Sequence, residues 1–220
     1  MNSGLAQDFS GRLREIVETA RTHMEATHAA REDALAASRK AIQLSSRSIR
    51  AAHRGELSDA ASLAREAREA LVPAAERLRD FPDIHRAGFL QDAEKEVAEA
   101  NITLAMIAGE SPPTPEEAGV SEAPYLNGLA EAASELRRSA LDALRAGDVD
   151  RASDLLAMMD EAYSLLVTID FPDAVTHGLR RTTDVFRAVL ERTRGDVTMS
   201  LRQLSLERRL ADLEGRLPER

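Results

Sequence analysis

The chain has 220 residues, a formal net charge of −9, 43% hydrophobic residues and only 3% aromatic ones, enough for a sizeable aliphatic core. The absence of cysteine excludes a disulfide framework and a thiolate metal site, and the acidic balance argues against a generic nucleic-acid coat. No apolar leader opens the chain and no run of about 18 apolar residues occurs, so the expectation is a cytoplasmic protein without a membrane partner.

Apolar residues recur at spacings of three and four, and alternating β-branched runs are missing, so the fold class is all-α, a bundle of about seven helices. A very long first helix is predicted from about Leu5 to Arg54, ending at Gly55. Ser58 or Asp59 caps a second helix to about Arg79, with a bend expected at Pro73. FPD at 81–83 is a break, and a third helix covers about 84–109. The Pro- and acid-rich stretch 110–124 reads as a loop. A fourth helix spans about 124–146 and a fifth about 149–168, separated by AGD. FPD recurs at 171–173, where Asp173 is placed to cap a sixth helix ending near Arg194–Gly195. The flanks of the two FPD triplets do not otherwise match, so re-use of a helix-break motif is the simpler account. A last helix, within a C-terminal segment 197–220, sets Leu206, Leu210, Leu213 and Leu217 on one narrow seam, a candidate oligomer contact. Short connections predict up-and-down packing.

The first helix carries no acid between Ala34 and Gly55 but holds Arg39, Lys40, Arg47, Arg50 and Arg54. On a helical projection these fan out along one flank of a seam made by Leu35, Ile42 and Ile49, with Ser38, Ser45 and Ala52 beside it; His53 falls on the apolar side. A solvated face that pairs with acid elsewhere in the bundle is the simpler reading by local pattern. The functional one is a phosphate-binding surface, because the guanidinium fork donates two parallel hydrogen bonds to phosphate oxygens. No aromatic lies on this helix between Ala34 and Gly55, so base reading by stacking is not expected there.

In the third helix Asp92, Glu96, Glu99 and Thr103 form one polar strip bordering the apolar stripe of Ala93, Val97, Ala100, Leu104 and Ile107. In the fourth, Glu131 and Glu135 lie four apart, off the face of Leu126, Leu129, Ala133, Leu136 and Ala140, and Gly128 on their side leaves room for another backbone or a ligand. Ordinary surface glutamates account for such spacing. Carboxylates from two neighbouring helices also suit Mg²⁺ or Mn²⁺, which prefer oxygen ligands and polarise phosphoryl oxygens.

The stretches SRKAIQLSSRSIRAAHRGE (38–56), FPDIHRAGFLQDAEKEVAEA (81–100), YLNGLAEAASELRRSALDALRAGD (125–148) and RRTTDVFRAVLERTRGD (180–196) together resemble the translin/TRAX family in its archaeal form. The resemblance covers most of the chain and implies a single translin-like helical domain over 1–220. It implies assembly into a closed homo-octameric shell and binding of single-stranded RNA or DNA inside it. In TRAX-type subunits it implies Mg²⁺-dependent endoribonuclease activity. The family's acidic positions fall on Glu96 and Glu99 and on Glu131 and Glu135, which the resemblance makes metal-holding and catalytic. Arg39, Lys40, Arg47, Arg50 and Arg54, with Arg137 and Arg138, are the expected phosphate contacts.

The chain departs from the TRAX pattern at four places. Glu131 stands for an aspartate, Lys95 for glutamine and Val97 for tyrosine. Ser134 stands for glycine, as in non-catalytic translin-type subunits. The basic cluster after FP is reduced to His85 and Arg86. With all four carboxylates retained, the expectation is an active nuclease subunit; the alternatives are a non-catalytic nucleic-acid-binding oligomer and a helical scaffold without nucleic acid.

Overall fold

The computed structural model describes the backbone of residues 3–214 and the side chains of 7–213. Among these residues the secondary structure is helical only: α1 (Ser3–His53), α2 (Leu57–Leu78), α3 (Pro82–His85), α4 (Phe89–Ala108), α5 (Pro115–Ala118), α6 (Glu122–Arg145), α7 (Val149–Leu166), α8 (Asp173–Thr176) and α9 (Leu179–Glu214). None is long and apolar enough to cross a membrane. Leu217 and the end of the predicted last helix lie outside the described residues, as does the side chain of Leu5.

At 51 residues, α1 is about 77 Å long. It stops where Gly55 takes a φ of +79°, with Glu56 N–H donating to the Ala51 carbonyl and Gly55 N–H to that of Ala52. Those two bonds close the left-handed turn that glycine accepts without strain. The helix begins two residues before the expected Leu5, and α2 begins at Leu57 without a side-chain cap from Ser58 or Asp59. Pro73 lies inside α2, which continues past it. The first FPD forms the one-turn α3, so α4 starts at Phe89 rather than 84.

Two expectations are corrected by packing. The sixth and seventh predicted helices are one, α9, because Phe186, Leu190, Thr193 and Val197 bury one continuous face through the position of Gly195. Gly195 itself is exposed, and its helix penalty of about 1 kcal/mol is small beside that burial. Asp173 lies in the first turn of α8, whose cap position is Pro172.

The connection from α4 to α6 also departs from up-and-down packing. Residues 109–121 turn back along the bundle, so that α6 begins beside the start of α4: Ser121 Oγ donates to Glu94 at 3.3 Å. The segment is pinned by Tyr125 Oη on the Pro113 carbonyl (2.6 Å), by Arg68 on the Glu117 carbonyl (3.0 Å) and by a Thr114–Glu117 capping box at α5. α4 and α6 therefore run in the same sense. So do α6 and α9, where Asn127 meets Thr182 and Arg137 meets Thr193.

Two three-helix units result, α1–α2–α4 and α6–α7–α9, joined by the α4–α6 contact. In each, the second and third helices are linked through a one-turn helix at an FPD triplet.

The inner line of α1 is Ala34, Ser38, Ala41, Ser45, Ser48 and Ala52, all buried, while the predicted seam residues Leu35, Ile42 and Ile49 are half-buried at its border. Small side chains face inward because α2 and α4 both pack closely on this helix. Apolar layers follow, with Leu71, Leu78, Leu90 and Val97 in one unit and Leu136, Leu155, Met159, Phe186 and Leu190 in the other.

Candidate functional site

The two units meet at a glycine. A Cβ on Gly128 would lie 2.7 Å from the Lys95 carbonyl oxygen and 2.9 Å from the Glu99 backbone nitrogen, well inside van der Waals contact. The missing side chain lets the backbone of α6 rest on that of α4. One helical turn later this contact carries Glu131 to the α4 glutamates. Glu96, Glu99 and Glu131 each offer a carboxylate oxygen, and these oxygens lie within 4.8 Å of one another. Among the described residues this is the one group of three or more carboxylates or histidines so arranged.

Burial makes the cluster uncomfortable. Glu99 is 9% exposed, and its carboxyl is pushed up to about 8, first by burial and then by the charges of Glu96, Glu131 and Glu135. Glu96 is also raised, by burial chiefly, with Lys95 pulling the other way. At an effective dielectric constant near 20, two unit charges this close repel by about 3 kcal/mol or more before screening. Three acids so placed offer a hard divalent cation oxygen donors only.

One cation is already supplied by the chain. Lys95 Nζ donates to Glu131 Oε1 at 2.8 Å. Burial opposes its charge, but the Glu131 hydrogen bond and the charges of Glu131, Glu96 and Glu99 outweigh that, so the lysine pKa is raised.

Glu135 stands apart from the three. Its Oε2 accepts from His53 Nε2 at 2.8 Å, and His53 Nδ1 lies 3.3 Å from Ser139 Oγ. The His53 side chain is almost wholly buried at the end of α1. The His53 hydrogen bond is the main reason the Glu135 carboxyl is held below the usual range, burial opposing it and the charge of Arg138 assisting. Glu99 and Glu135 form a shared wall between two pockets. One, of about 390 Å³, is completed by Glu131, Ser134 and the α9 residues Arg181, Thr182, Val185 and Val189. The other, of about 350 Å³, is completed by Ser46, Ile49, Arg50, His53, Glu96 and Arg138.

The predicted cations separate into groups. Arg50 and Arg138 line the pocket beside the carboxylates, and Arg50 also joins Arg47 and Arg54 in a groove between the end of α1 and the start of α2 that Glu56 and Asp59 line as well. Arg54 is engaged by Glu56, whose carboxylate takes its Nε at 2.9 Å. Arg137 is turned away into an ion pair with Asp196 at 2.8 Å and a bond to Thr193, tying α6 to α9. Arg39 and Lys40 are exposed on the same flank of α1, about 16 Å before Arg50 along the axis, and line neither pocket.

Sequence reasoning placed His53 on the apolar side but did not pair it with Glu135. It noted Lys95 only as a departure. The signal for His53 was its place as the one titratable side chain on that face. For Lys95 it was its place one residue before Glu96 and four before Glu99. A wider pocket, about 850 Å³ at the second FPD turn between Tyr163, Phe171 and Asp184, shares no residue with the two at the glutamates.

No family model matches the chain. The uncharacterized protein MJ0175 of Methanocaldococcus jannaschii is 31% identical over 135 residues, 60% of this chain and 59% of that protein, so the match spans less than two thirds of the relative. Among solved structures, AfC3PO in a complex with duplex RNA superposes with a TM-score of 0.77 at 34% identity, covering 84% of this chain and 95% of that one. A crystal structure of AfC3PO gives 0.75 at 33% identity, with 84% and 96% covered. Apo-NeC3PO gives 0.75 at 19% identity, again with 84% and 96% covered, a likeness of fold. With a third of the aligned residues identical over nearly all of AfC3PO, the chain belongs to the translin/TRAX family.

Proposed function

We propose that the protein is an RNA-binding subunit of C3PO type with a Mg²⁺-dependent endoribonuclease centre at the α4–α6 contact. The observation that carries this reading is the convergence of Glu96, Glu99 and Glu131 within 4.8 Å, beside a pocket edged by Arg50 and Arg138. RNA binding is further supported by the relative AfC3PO, which has been solved with duplex RNA. The resemblance adds single strands, RNA or DNA, as ligands and a homo-octamer as the assembly.

In this reading Arg47, Arg50 and Arg138 hold the RNA backbone, each guanidinium taking phosphate oxygens through two parallel donors. Glu96, Glu99 and Glu131 would hold the divalent ion, which when bound supplies Lewis-acid stabilisation of the charge that develops on the phosphoryl oxygens. Glu135, oriented by His53, accepts a hydrogen bond from the attacking water at its carboxylate and takes its proton. Glu99 must be ionised to serve, and a neighbouring positive charge lowers the carboxyl pKa that burial has raised.

The Lys95–Glu131 pair favours a second reading, a subunit that binds RNA without cutting it, because the lysine occupies an acceptor that the nuclease needs. One experiment separates them. Purified protein is incubated with labelled single-stranded and duplex RNA, with Mg²⁺ and with EDTA, beside Glu99→Gln. Cleavage that needs Mg²⁺ and Glu99 is expected; salt-sensitive binding without cleavage under any condition would replace the nuclease by the binder.

A further inference from the structure

We propose that Lys95 is an internal counter-cation of the carboxylate cluster, which competes with the divalent ion so that the ion enters only as the Lys95–Glu131 pair opens. The inference rests on the reading of Glu96, Glu99 and Glu131 as a cation site and names what regulates its loading.

Lys95 precedes Glu96 on α4 and reaches across the Gly128 contact to Glu131 on α6, at 2.8 Å. Its side chain and that of Glu131 are about seven-tenths buried, so the pair is formed largely out of water. Other positive groups nearby do not make this contact. Arg50 and Arg138 share a pocket with Glu96 and Glu99, and Arg181 shares one with Glu99 and Glu131, but none of the three forms an ion pair with these acids, and His53 is bonded to Glu135. Among the described residues Lys95 is therefore the one cation in ion-pair contact with the three carboxylates that lie within 4.8 Å. A divalent ion bound there shares Glu131 with the lysine, which holds Oε1, or displaces it, and the like charge of ion and ammonium opposes sharing. Lysine suits displacement, since its ammonium is a point charge on a flexible stem, without the two-pronged grip of arginine.

The chain makes the test clean, because Lys40 and Lys95 are its only lysines. The intact wild-type protein is reductively methylated in EDTA and in Mn²⁺, with Mn²⁺ binding followed in parallel by electron paramagnetic resonance. Lys95 labelling should be slow in EDTA and rise on Mn²⁺ addition, while exposed Lys40 stays constant as the internal reference. Lys95→Gln should bind Mn²⁺ more tightly by about tenfold, the scale of one hydrogen bond to a charged group; Lys95→Arg should not. Mn²⁺ that binds the wild type without changing Lys95 labelling, or equal affinity in Lys95→Gln, would overturn the proposal and leave the cation site standing. Absence of Mn²⁺ binding in both wild type and Lys95→Gln would overturn the cation site itself, and the proposal with it. The labelling arm needs no variant, so a misfolded substitution does not rescue the idea.

Discussion

Gly128 lies directly against the backbone of Glu99, and that contact is what aligns the acids of α4 with those of α6. A methyl group there has no flexible neighbour to push aside, since two of its three nearest atoms are backbone. Gly128→Ala should therefore wedge the helices apart and destabilise the protein by about 1–3 kcal/mol, the usual scale of overpacking. At roughly 2–4 °C per kcal/mol for a chain of this size, thermal unfolding would show the loss. Mn²⁺ affinity should fall with it. An unchanged melting temperature would mean that the helix contact is looser than the structure gives.

Glu99 sets a pH dependence of the metal-free protein. Its carboxyl is raised to about 8 in the fold from an ordinary value near 4.5. Between those values the folded state binds more protons than the unfolded one, so stability falls as pH rises across that window. In EDTA the protein should melt at a higher temperature at pH 6 than at pH 8.5. Glu99→Gln should flatten the slope and be the more stable form at pH 8.5. A melting temperature that climbs across the window in EDTA would contradict the raised carboxyl.

Much of the fold was legible in the sequence for a physical reason: helix ends are local events. Gly55, the FPD triplets and AGD each interrupt hydrogen bonding within a few residues, and each appears where expected. What failed were properties set by neighbours. Gly195 is a helix weakener that burial of Phe186, Leu190 and Val197 overrides. Leu35, Ile42 and Ile49 look like a core seam, but the close approach of two helices selects the smaller Ala41, Ser45 and Ser48 for the inside. The site divides in the same way. The spacing of Glu96 and Glu99 already puts them on one helical face, and the resemblance points to Glu131. That Glu135 turns to His53, or that Lys95 spans to Glu131, depends on helix register across two interfaces, which spacing within one helix does not encode.

That register separates two kinds of glutamate. Glu135 bonds His53 and is not among the three acids within 4.8 Å. Glu135→Gln should leave Mn²⁺ affinity nearly unchanged while lowering RNA cleavage by about 10²-fold or more, the range for loss of a general base. Glu99→Gln should lose both. Equal loss of Mn²⁺ binding in the two variants would place Glu135 in the cation's own ligand set.

The arginines are distinguishable by salt. If Arg47 and Arg50 each contact a phosphate, replacing both by Ala should reduce the log–log salt slope of single-stranded RNA binding by about 1.4, roughly 0.7 for each contact. Arg54→Ala should do less, because Glu56 already engages that side chain. Arg137→Ala should leave the slope alone and lower stability, since it strips Asp196 and Thr193 of their partner. Slopes that fall equally for Arg47, Arg50 and Arg137 would spread the RNA path onto α9.

The exposed ends of the two longest helices bear on assembly. Residues 7–26 of α1 are exposed throughout and carry Phe9, Leu13, Ile16, Val17 and Met24. The last turns of α9 carry Met199, Leu206, Leu210 and Leu213, the leucines each half exposed or more. α1 is antiparallel to α2, where Asp33 meets Arg77 and Ser48 meets the Ala60 carbonyl, and α2 turns back through α3 into α4; α1 therefore runs in the sense of α4, α6 and α9, and the exposed N-terminal part of α1 and C-terminal part of α9 lie at opposite ends of the bundle. Apolar rows of this kind are unusual on the surface of an isolated subunit and mark contact surfaces. Replacing Leu206 and Leu210 together by Asn removes apolar area from the α9 row without touching the buried face that ends at Val197. Light scattering should then report a smaller particle than the wild type does, with helical content and the Mn²⁺ affinity of each subunit retained, since the carboxylates sit within one chain. A wild type that is already monomeric, or a variant of unchanged mass, would remove the α9 row from the assembly.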